Sequence, residues 1–474
     1  MREEKVFADL LYLIHNIIYG GDWKVFGIGE DNLEMLLKGF DEGSMVLILG
    51  HPGAGKTTFA AKILYRNCRS GGVKCVYVSL AEDRDKFLRY MGRFGIDLDT
   101  LERKGIFEFI HMPTFAGKDL VESVTGVLSA KIVSEGFRVA VVDSVTPLLN
   151  ALTTDEARSY LHATLYNLVR SSQGLLILVA DLPYGKETVD LRGLEFIADA
   201  VFVFKTRVER GLITRFMEVR KFRGRRIPIV EIPFTIAEDE GIRIILSPPL
   251  EEIPVLTEKP AMESPCSELL WGPMPRGTYI GVVGKDAPVF YTTFKVLLDL
   301  ALKSNAYLAL LSFRMPSSEM KRLVHHIAQS LGQDIKSVEE LIKFEQGVNP
   351  SIYSCYEVMG ILRQVIDRDP DILLLHGTEM LYLYHPSRYI DRGLRDLALY
   401  ARRKGTSIVE FVSGLFSKKQ LARYSMIHLI NLDEHSKVVH TIYRHVPIIV
   451  NGKIVGAEPR RIYEEELLKC IKQM

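Results

Sequence analysis

The residues best suited to chemistry lie between positions 50 and 58. Gly50-His51-Pro52-Gly53-Ala54-Gly55-Lys56-Thr57 fits the phosphate-binding pattern G-x-x-x-x-G-K-[ST], and Thr58 follows it. Glycines let backbone N–H groups turn towards an anion without Cβ clashes. Lysine adds a mobile cation, and the Thr57 hydroxyl is a ligand for Mg²⁺. Residues 51–58 are therefore predicted to bind the phosphates of a magnesium nucleotide.

The segments around this loop are those that a phosphate site needs. The apolar residues 45–49 predict a strand that ends at Gly50, and a helical pattern runs from Lys56 to about Arg69. A helix that starts at the loop points its positive end at the anion. The alternative is a glycine turn with an incidental lysine, and the strand-loop-helix order argues against it.

A carboxylate for the metal is predicted at Asp143. The apolar run Val139-Ala140-Val141-Val142 predicts a buried strand, and Asp143 and Ser144 follow it. In open α/β sheets ligands bind at the carboxyl ends of the strands, so Asp143 is expected beside the loop. A helix cap is the alternative role for this aspartate.

The elements that must position these residues form an α/β pattern. Near-continuous apolar strands alternate with helical segments, which predicts a mostly parallel sheet covered by helices on both faces. From Arg215 onward, strands joined by short turns predict an antiparallel meander at the sheet edge.

The second half of the chain repeats the first. Residues 43–50 are echoed by 277–284, residues 76–80 by 307–313, and residues 139–143 by 372–376. The offset is 234 residues between Gly50 and Gly284 and 233 between Asp143 and His376, which predicts two copies of one fold. The predicted domains are 26–248 and 267–474, with a proline-rich linker at 249–266 between them.

An amphipathic helix is predicted in residues 1–25. Its apolar stripe could pack on its own domain or dock on a partner or neighbouring subunit.

Composition and charge restrict the functional class. The 474 residues are 47% hydrophobic and 25% charged, which is typical of a globular protein. Lys+Arg number 60 against 59 Asp+Glu, so nucleic acid is not expected as the main partner. No apolar stretch is long enough for a membrane span, and no signal peptide is recognised. Asn and Gln are scarce, which favours a thermophilic, archaeal source.

The five cysteines are odd in number, far apart and without a C-x-x-C pair. They are predicted to be reduced thiols in the cytoplasm, with no zinc site. The histidines His325, His326 and His376 have no metal-ligand spacing and are expected to be core or surface residues.

Residues 26–246 resemble the KaiC-like branch of the RecA-type ATPases. The resemblance rests on the phosphate loop and on several further segments: Gly27-Ile28, Gly43-Ser44, Val141-Val142-Asp143-Ser144, Phe196-Ile197-Ala198-Asp199, Lys221-Phe222-Arg223-Gly224 and Pro233-Phe234-Thr235-Ile236. It implies tandem RecA-like domains, ATP as the nucleotide and Mg²⁺ as the metal.

The K-x-R-G quartet is the most family-specific segment. The resemblance implies that Lys221 and Arg223 reach the γ-phosphate of a neighbouring subunit, and that the chain forms an oligomer, commonly a hexameric ring. The i, i+2 spacing on a strand would put both side chains on one face. A solvated basic turn and a nucleic-acid patch are the alternatives.

One departure from the family concerns the attacking water. The family's strand after the loop helix ends in paired glutamates, of which the first activates water. Here Ala81 takes the first position and Glu82 the second. Either Glu82 substitutes, or ATP is bound and hydrolysed very slowly. Asp181, at the end of the predicted strand Leu175 to Ala180, is another acid that could face the γ-phosphate.

The second copy has lost the residues of a nucleotide site. Alignment of the repeats places Ala287 at Gly53, Val289 at Gly55, Phe290 at Lys56 and Tyr291 at Thr57, while His376 replaces Asp143, and Arg314 and Met315 replace Ala81 and Glu82. The C-terminal domain is therefore predicted to be a degenerate copy with a structural or docking role, through which an unknown protein partner could bind.

The main hypothesis is a slow Mg²⁺-dependent ATPase assembled as a ring. An ATP-gated scaffold with little hydrolysis is the second, and a recombinase-like DNA-binding ATPase is the third. Autophosphorylation is a weaker expectation, because in the family's clock protein it belongs to the second domain, which here has no loop lysine.

Overall fold

The computed structural model describes residues 25–71, 73–112, 118–183, 193–227, 231–246, 261–284, 289–413, 423–444, 448–450, 453–455 and 458–473. The predicted N-terminal helix and most of the predicted linker lie outside the described residues. The chain divides into two compact units, one up to Arg207 with Arg215–Ile244 and one of Val208–Thr214 with Ile245 onward.

The first unit is built on a nine-stranded sheet, preceded by a two-stranded pair. The pair is β1 (Val25–Phe26) and β2 (Phe40–Asp41). The sheet contains β3 (Ser44–Gly50), β4 (Cys75–Ser79), β5 (Phe107–His111), β6 (Val139–Asp143), β7 (Leu175–Asp181), β8 (Ala200–Glu209), β9 (Leu212–Phe222), β10 (Glu231–Ala237) and β11 (Gly241–Ile244). Its order is β11-β10-β9-β8-β3-β7-β6-β4-β5.

Strand β3 lies inside this sheet and is buried along its whole length. It pairs in parallel with β7 and β8, and β6 pairs in parallel with β7 and β4. Such two-sided burial explains the continuous apolar runs in the sequence. Strands β9, β10 and β11 pair antiparallel at the edge, as the short turns predict.

Helices cover the sheet of the first unit. They are Asp31–Leu37, Lys56–Gly71, Arg84–Arg93, Leu98–Arg103, Lys118–Ser129, Thr146–Asn150, Thr154–Ser159, Asn167–Ser172 and Leu194–Ile197. Two π-helical segments, Ala130–Ser134 and Tyr160–Tyr166, extend the helices before them. The helix Lys56–Gly71, called the loop helix below, follows directly on the predicted phosphate loop.

Within the described residues, the eight-stranded sheet of the second unit repeats the strand order of the first without a counterpart of β11. It contains β12 (Tyr279–Gly284), β13 (Leu308–Ser312), β14 (Ile342–Phe344), β15 (Ile372–His376), β16 (Ser407–Ser413), β17 (Met426–Leu432), β18 (Val438–Arg444) and the edge strand β21 (Arg460–Tyr463). Its order is β14-β13-β15-β16-β12-β17-β18-β21. The small pair β19 (Ile448–Val450) and β20 (Lys453–Val455) precedes the edge strand β21 (Arg460–Tyr463).

The internal repeat is confirmed in detail. Strand β12 lies between β16 and β17 as β3 lies between β7 and β8. Leu80 N donates to Asp143 O at 2.8 Å, and Phe313 N donates to His376 O at the same distance. Two tandem RecA-like folds, each a mostly parallel sheet flanked by helices with an antiparallel edge, are therefore present.

The helices of the second unit include one that begins inside the predicted linker. They are Pro265–Leu270, Val289–Ser304, Ser317–Ser330, Ile335–Leu341, Cys355–Ile366, Glu379–Tyr384, Ser387–Lys404 and Glu464–Lys472. Cys266 in the first of them is fully buried in the core of this unit. The boundaries at 248 and 267 otherwise remain predictions.

The expectation of five reduced thiols is wrong for four of them. Cys68 and Cys75 form one disulfide, and Cys266 and Cys470 form a second, with 5.8 Å between the Cα atoms of the latter pair. Cys355 is a buried free thiol. The second disulfide could not be predicted from the sequence, because its cysteines are 204 residues apart and meet only when two helices pack together.

We expect the Cys266–Cys470 disulfide to stabilise the second unit. A cross-link over 204 residues contributes up to about 5 kcal/mol by restricting the unfolded chain. Cys266→Ser should lower the melting temperature of that unit by roughly 10 °C under non-reducing conditions. Calorimetry would measure it, with Cys355→Ser as the control. Equal melting of Cys266→Ser and wild type without reductant would contradict this prediction.

Candidate functional site

The predicted phosphate loop connects the carboxyl end of β3 to the loop helix. Gly53 and Gly55 have φ values of +70° and +100°, a region that favours glycine. A Cβ at Gly55 would also lie 3.0 Å from Ile236 Cδ1. The backbone of this loop therefore depends on glycine for both conformation and space.

The other loop residues divide into a buried and an exposed set. His51, Ala54 and Thr58 are buried, and His51 Nδ1 lies 3.4 Å from Thr206 Oγ1. Pro52 and Gly53 are exposed at the tip of the loop. The buried side chains fix the loop on the sheet, which leaves its tip open to a ligand.

Lys56 is held at the base of the loop. Its Nζ donates to Gly50 O at 2.9 Å and to His51 O at 3.1 Å. It also forms an ion pair with Asp181 Oδ1 at 3.1 Å. The ammonium group therefore lies where the loop, β3 and β7 meet.

Thr57 and Asp143 meet at the start of the loop helix. Thr57 Oγ1 donates to Asp143 Oδ2 at 2.7 Å, and Tyr77 OH donates to the same oxygen at 2.6 Å. Burial raises the pKa of Asp143 above its usual value, although both hydrogen bonds and Lys56 oppose that shift. A desolvated carboxylate beside a hydroxyl is a pair of hard oxygen donors, and such donors suit Mg²⁺.

Asp181 links this group to the next strand. Its Oδ2 accepts a hydrogen bond from Ser144 Oγ at 3.0 Å, and its backbone N donates to Thr146 Oγ1 at 3.0 Å. The peptide bond between Asp143 and Ser144 is cis. The ends of β6 and β7 thus bring two carboxylates to the loop.

The structure does not bring Glu82 into this group. Its backbone N donates to Ser79 Oγ at 2.9 Å, and its Oε1 lies 3.9 Å from Lys86 Nζ. Asp83 then caps the helix Arg84–Arg93. Within the described part of the chain, no hydrogen bond or ion pair joins the Glu82 carboxylate to Lys56, Thr57 or Asp143.

Lys221 and Arg223 lie together at another place in the unit. Lys221 Nζ donates to Phe196 O at 2.8 Å, and Arg223 Nη1 donates to Asp199 Oδ1 at 2.8 Å. Burial and the charge of Arg223 lower the pKa of Lys221. Lys221 is on β9, but Arg223 follows the last residue of that strand. The prediction that both residues lie on one strand therefore holds for Lys221 only.

Arg223 lies near the amino end of β3, whereas the phosphate loop follows the carboxyl end of that strand. Arg223 N donates to Asp199 O, and Asp199 N donates to Met45 O, both at 2.8 Å. Met45 is near the start of β3, whereas the loop follows Gly50 at its end. Five residues of strand separate the two points by roughly 16 Å. Arg223 therefore does not contact the phosphate loop of its own chain.

In the second unit, apolar and aromatic groups take the equivalent place. Phe290 stacks on Phe294 at 5.2 Å between ring centroids and contacts Phe411 at 4.8 Å and His376 at 5.1 Å. His376 Nδ1 lies 3.0 Å from Ser312 Oγ.

The remaining replacements are consistent with this packing. Arg314 is paired with Glu379 at 2.6 Å, and Lys295 lies over the Tyr291 ring. Ala287 lies outside the described residues. Among the described residues, no cluster of three or more His, Cys, Asp and Glu side chains is arranged to hold a metal ion.

The pKa of His376, which aligns with Asp143, provides a test of the buried environment at this position. Burial and the nearby Arg314 charge lower it to about 4. The unfolded chain takes up the proton near its ordinary value of about 6.5, so His376 destabilises the fold as the pH falls from 7 to 4. We expect His376→Asn to remove about 3 kcal/mol of that acid destabilisation.

Urea unfolding of both proteins at pH 7 and pH 4 would measure the difference. His326→Asn, at an exposed position, serves as the control. Equal pH dependence of wild type and His376→Asn would contradict the low pKa.

No role was predicted from the sequence for three supporting residues. Tyr77, Ser144 and Asp199 form hydrogen bonds with Asp143, Asp181 and Arg223 respectively. A tyrosine inside an apolar strand and a serine after an aspartate belong to no motif, so their contacts emerge only from strand pairing. Asp199 belongs to the Phe196-Ile197-Ala198-Asp199 segment of the resemblance, but its contact with Arg223 depends on long-range packing.

The strand, glycine loop and helix, with Lys56, Thr57 and Asp143 on a mostly parallel sheet, define a P-loop nucleotide-binding fold. A family model described as the KaiC ATPase matches residues 27–248. The chain is 26% identical over 194 residues to the circadian clock oscillator protein KaiC of Parathermosynechococcus lividus, an alignment that covers 40% of this chain and 35% of that protein.

Two further relatives show the same segment. KaiC of Picosynechococcus is 27% identical over 189 residues, which is 39% of this chain and 36% of that protein. A UPF0273 protein of Pyrobaculum aerophilum is 28% identical over 225 residues, which is 45% of this chain and 79% of that protein. The chain thus covers only about a third of the length of the KaiC relatives.

Residues 27–248 therefore form a domain similar to the KaiC-like branch of the RecA-type P-loop ATPases. None of the described helices has the length and apolar character required to cross a bilayer.

Proposed function

We propose that the protein is a slow, Mg²⁺-dependent ATPase assembled as a ring, with ATP between subunits and the second unit as a degenerate partner-docking domain. The observation that carries this proposal is the meeting of Lys56, Thr57 and Asp143 at one end of β3. The loop amides and Lys56 would hold the phosphates. A cytoplasmic location is part of the proposal.

Thr57 and Asp143 would hold the metal ion. Bound Mg²⁺ would offset the negative charge of the phosphate oxygens. Tyr77 and Thr57 donate to the same oxygen of Asp143, so hydrogen bonds within the protein orient this carboxylate. Two acids named in the sequence analysis are available for the attacking water, Glu82 and Asp181, and the second of them contacts Lys56.

The positions of Lys221 and Arg223 favour the proposal of a ring. They are held at the sheet edge opposite their own loop, so a role at a γ-phosphate requires the loop of a second copy. Asp199 fixes the Arg223 guanidinium, which pre-organises it for an anion across an interface. A closed ring, commonly a hexamer in this family, gives every loop such a neighbour.

Replacement of Lys56 should abolish nucleotide binding. Lys56→Ala removes the cation at the base of the loop, and we expect the Kd for ATP to rise at least about 100-fold. Isothermal titration would measure it, with Lys303→Ala, an exposed lysine of the second unit, as the matched control. Unchanged ATP affinity of Lys56→Ala would contradict the assignment of the loop.

The trans role of Arg223 predicts complementation. Arg223→Ala and Lys56→Ala should each lose about 10³-fold in turnover. When the two are mixed and allowed to exchange subunits, part of the activity should return, because some interfaces then join an intact loop to an intact arginine. Phosphate release and native mass would be measured together.

Arg226→Ala, an exposed arginine three residues away, provides the matched control. A monomeric wild type, or loss of activity in Arg226→Ala equal to that in Arg223→Ala, would contradict the trans role.

A second function is favoured by Ala81 and by the filled site of the second unit. An ATP-gated scaffold would bind ATP tightly and change partner docking without turnover. Nucleotide that is retained through purification, with no phosphate release over hours, would select this function over the ATPase.

A further inference from the structure

We propose that Asp181 is the carboxylate that accepts the proton of the attacking water. This inference rests on the proposed ATPase and assigns its missing base. The proposed base is then at the end of β7. The paired glutamates of the family align with residues that follow β4.

The register of the sheet brings Asp181 to the loop. Strand β7 lies between β3 and β6, and Asp181 pairs with Gly50, the first residue of the phosphate loop. The carboxyl ends of all three strands meet at one edge, where open α/β sheets bind their ligands. Asp181 is therefore next to the loop on one side and Asp143 on the other.

The contacts of Asp181 orient its carboxylate. One oxygen is 3.1 Å from Lys56 Nζ, and the other accepts from Ser144 Oγ at 3.0 Å. Lys56 is also the residue that would contact the γ-phosphate. The Asp181 side chain is 52% exposed, so water reaches it directly. A carboxylate fixed by two donors and open to water fits a general base.

The other acids of the site are less suited to this role. Asp143 is buried and receives hydrogen bonds from Thr57 and Tyr77, which suits a metal ligand. Ala81 has no functional group. The described ion pair of Glu82 is with Lys86, towards the helix Arg84–Arg93. Of the described carboxylates, Asp181 is the one in contact with the loop lysine.

Hydrolysis is a displacement at the γ-phosphorus. The water oxygen forms a bond to the γ-phosphorus, and the bond from that phosphorus to the β,γ-bridging oxygen breaks with its electron pair. ADP leaves, phosphate is formed, and one water proton passes to the Asp181 carboxylate. The proton returns to solvent through the exposed side of Asp181, which regenerates the base.

The test compares two near-isosteric variants, Asp181→Asn and Glu82→Gln, in the full chain. Single-turnover cleavage of γ-labelled ATP measures the chemical step, and equilibrium dialysis measures ATP binding. We expect Asp181→Asn to lose 10²- to 10⁴-fold in the cleavage rate, with ATP binding within about threefold of wild type. Glu82→Gln should lose less than tenfold, and Asp181→Glu should recover part of the rate.

Thermal melting would check that each variant is folded, and Asp181→Ser is the second variant without a carboxylate. A cleavage rate of Asp181→Asn within threefold of wild type overturns the inference, and so does a larger loss in Glu82→Gln. Loss of ATP binding in both folded Asp181 variants also overturns it, because the role would then be in binding. Wild type that binds ATP but never cleaves it overturns the inference and leaves the ATP-binding proposal intact, whereas wild type that binds no ATP contradicts the proposed function itself.

Discussion

The contact of the loop helix with the carboxyl ends of β6 and β7 is the interaction on which the rest of the site depends. Thr57 donates to Asp143, and Lys56 pairs with Asp181, so the first two residues of the helix are fixed to two different strands. Each contact joins the first turn of the helix to a carboxylate. The helix N-terminus attracts anions, and the carboxylate attracts cations. In the proposed function, a magnesium nucleotide would supply both a cation and an anion to these four side chains.

Much of this arrangement could be predicted from the sequence. The loop motif and the apolar run before Asp143 are local signals, and the constant offset between the repeats fixed the shared fold. The position of Asp143 beside the loop is expected from its place at the carboxyl end of a buried strand. What could not be predicted depends on strand register and long-range packing: the Asp181 contact with Lys56, the Tyr77 hydrogen bond, and the Cys266–Cys470 disulfide.

The two units show how one fold keeps or loses chemistry. In the first, small and polar residues leave the end of the central strand open. In the second, Phe290 packs against His376 at the positions that align with Lys56 and Asp143. The backbone hydrogen bonds around the site persist in both, because they belong to the sheet and not to the ligand. The fold therefore survives the loss of its site.

The central claim is that one unit of each chain binds ATP and the other does not. The most direct measurement is the stoichiometry of ATP binding by equilibrium dialysis at saturating Mg²⁺, with the protein concentration fixed by amino-acid analysis. The account predicts one ATP per polypeptide. Two ATP molecules per polypeptide, or none, would contradict it.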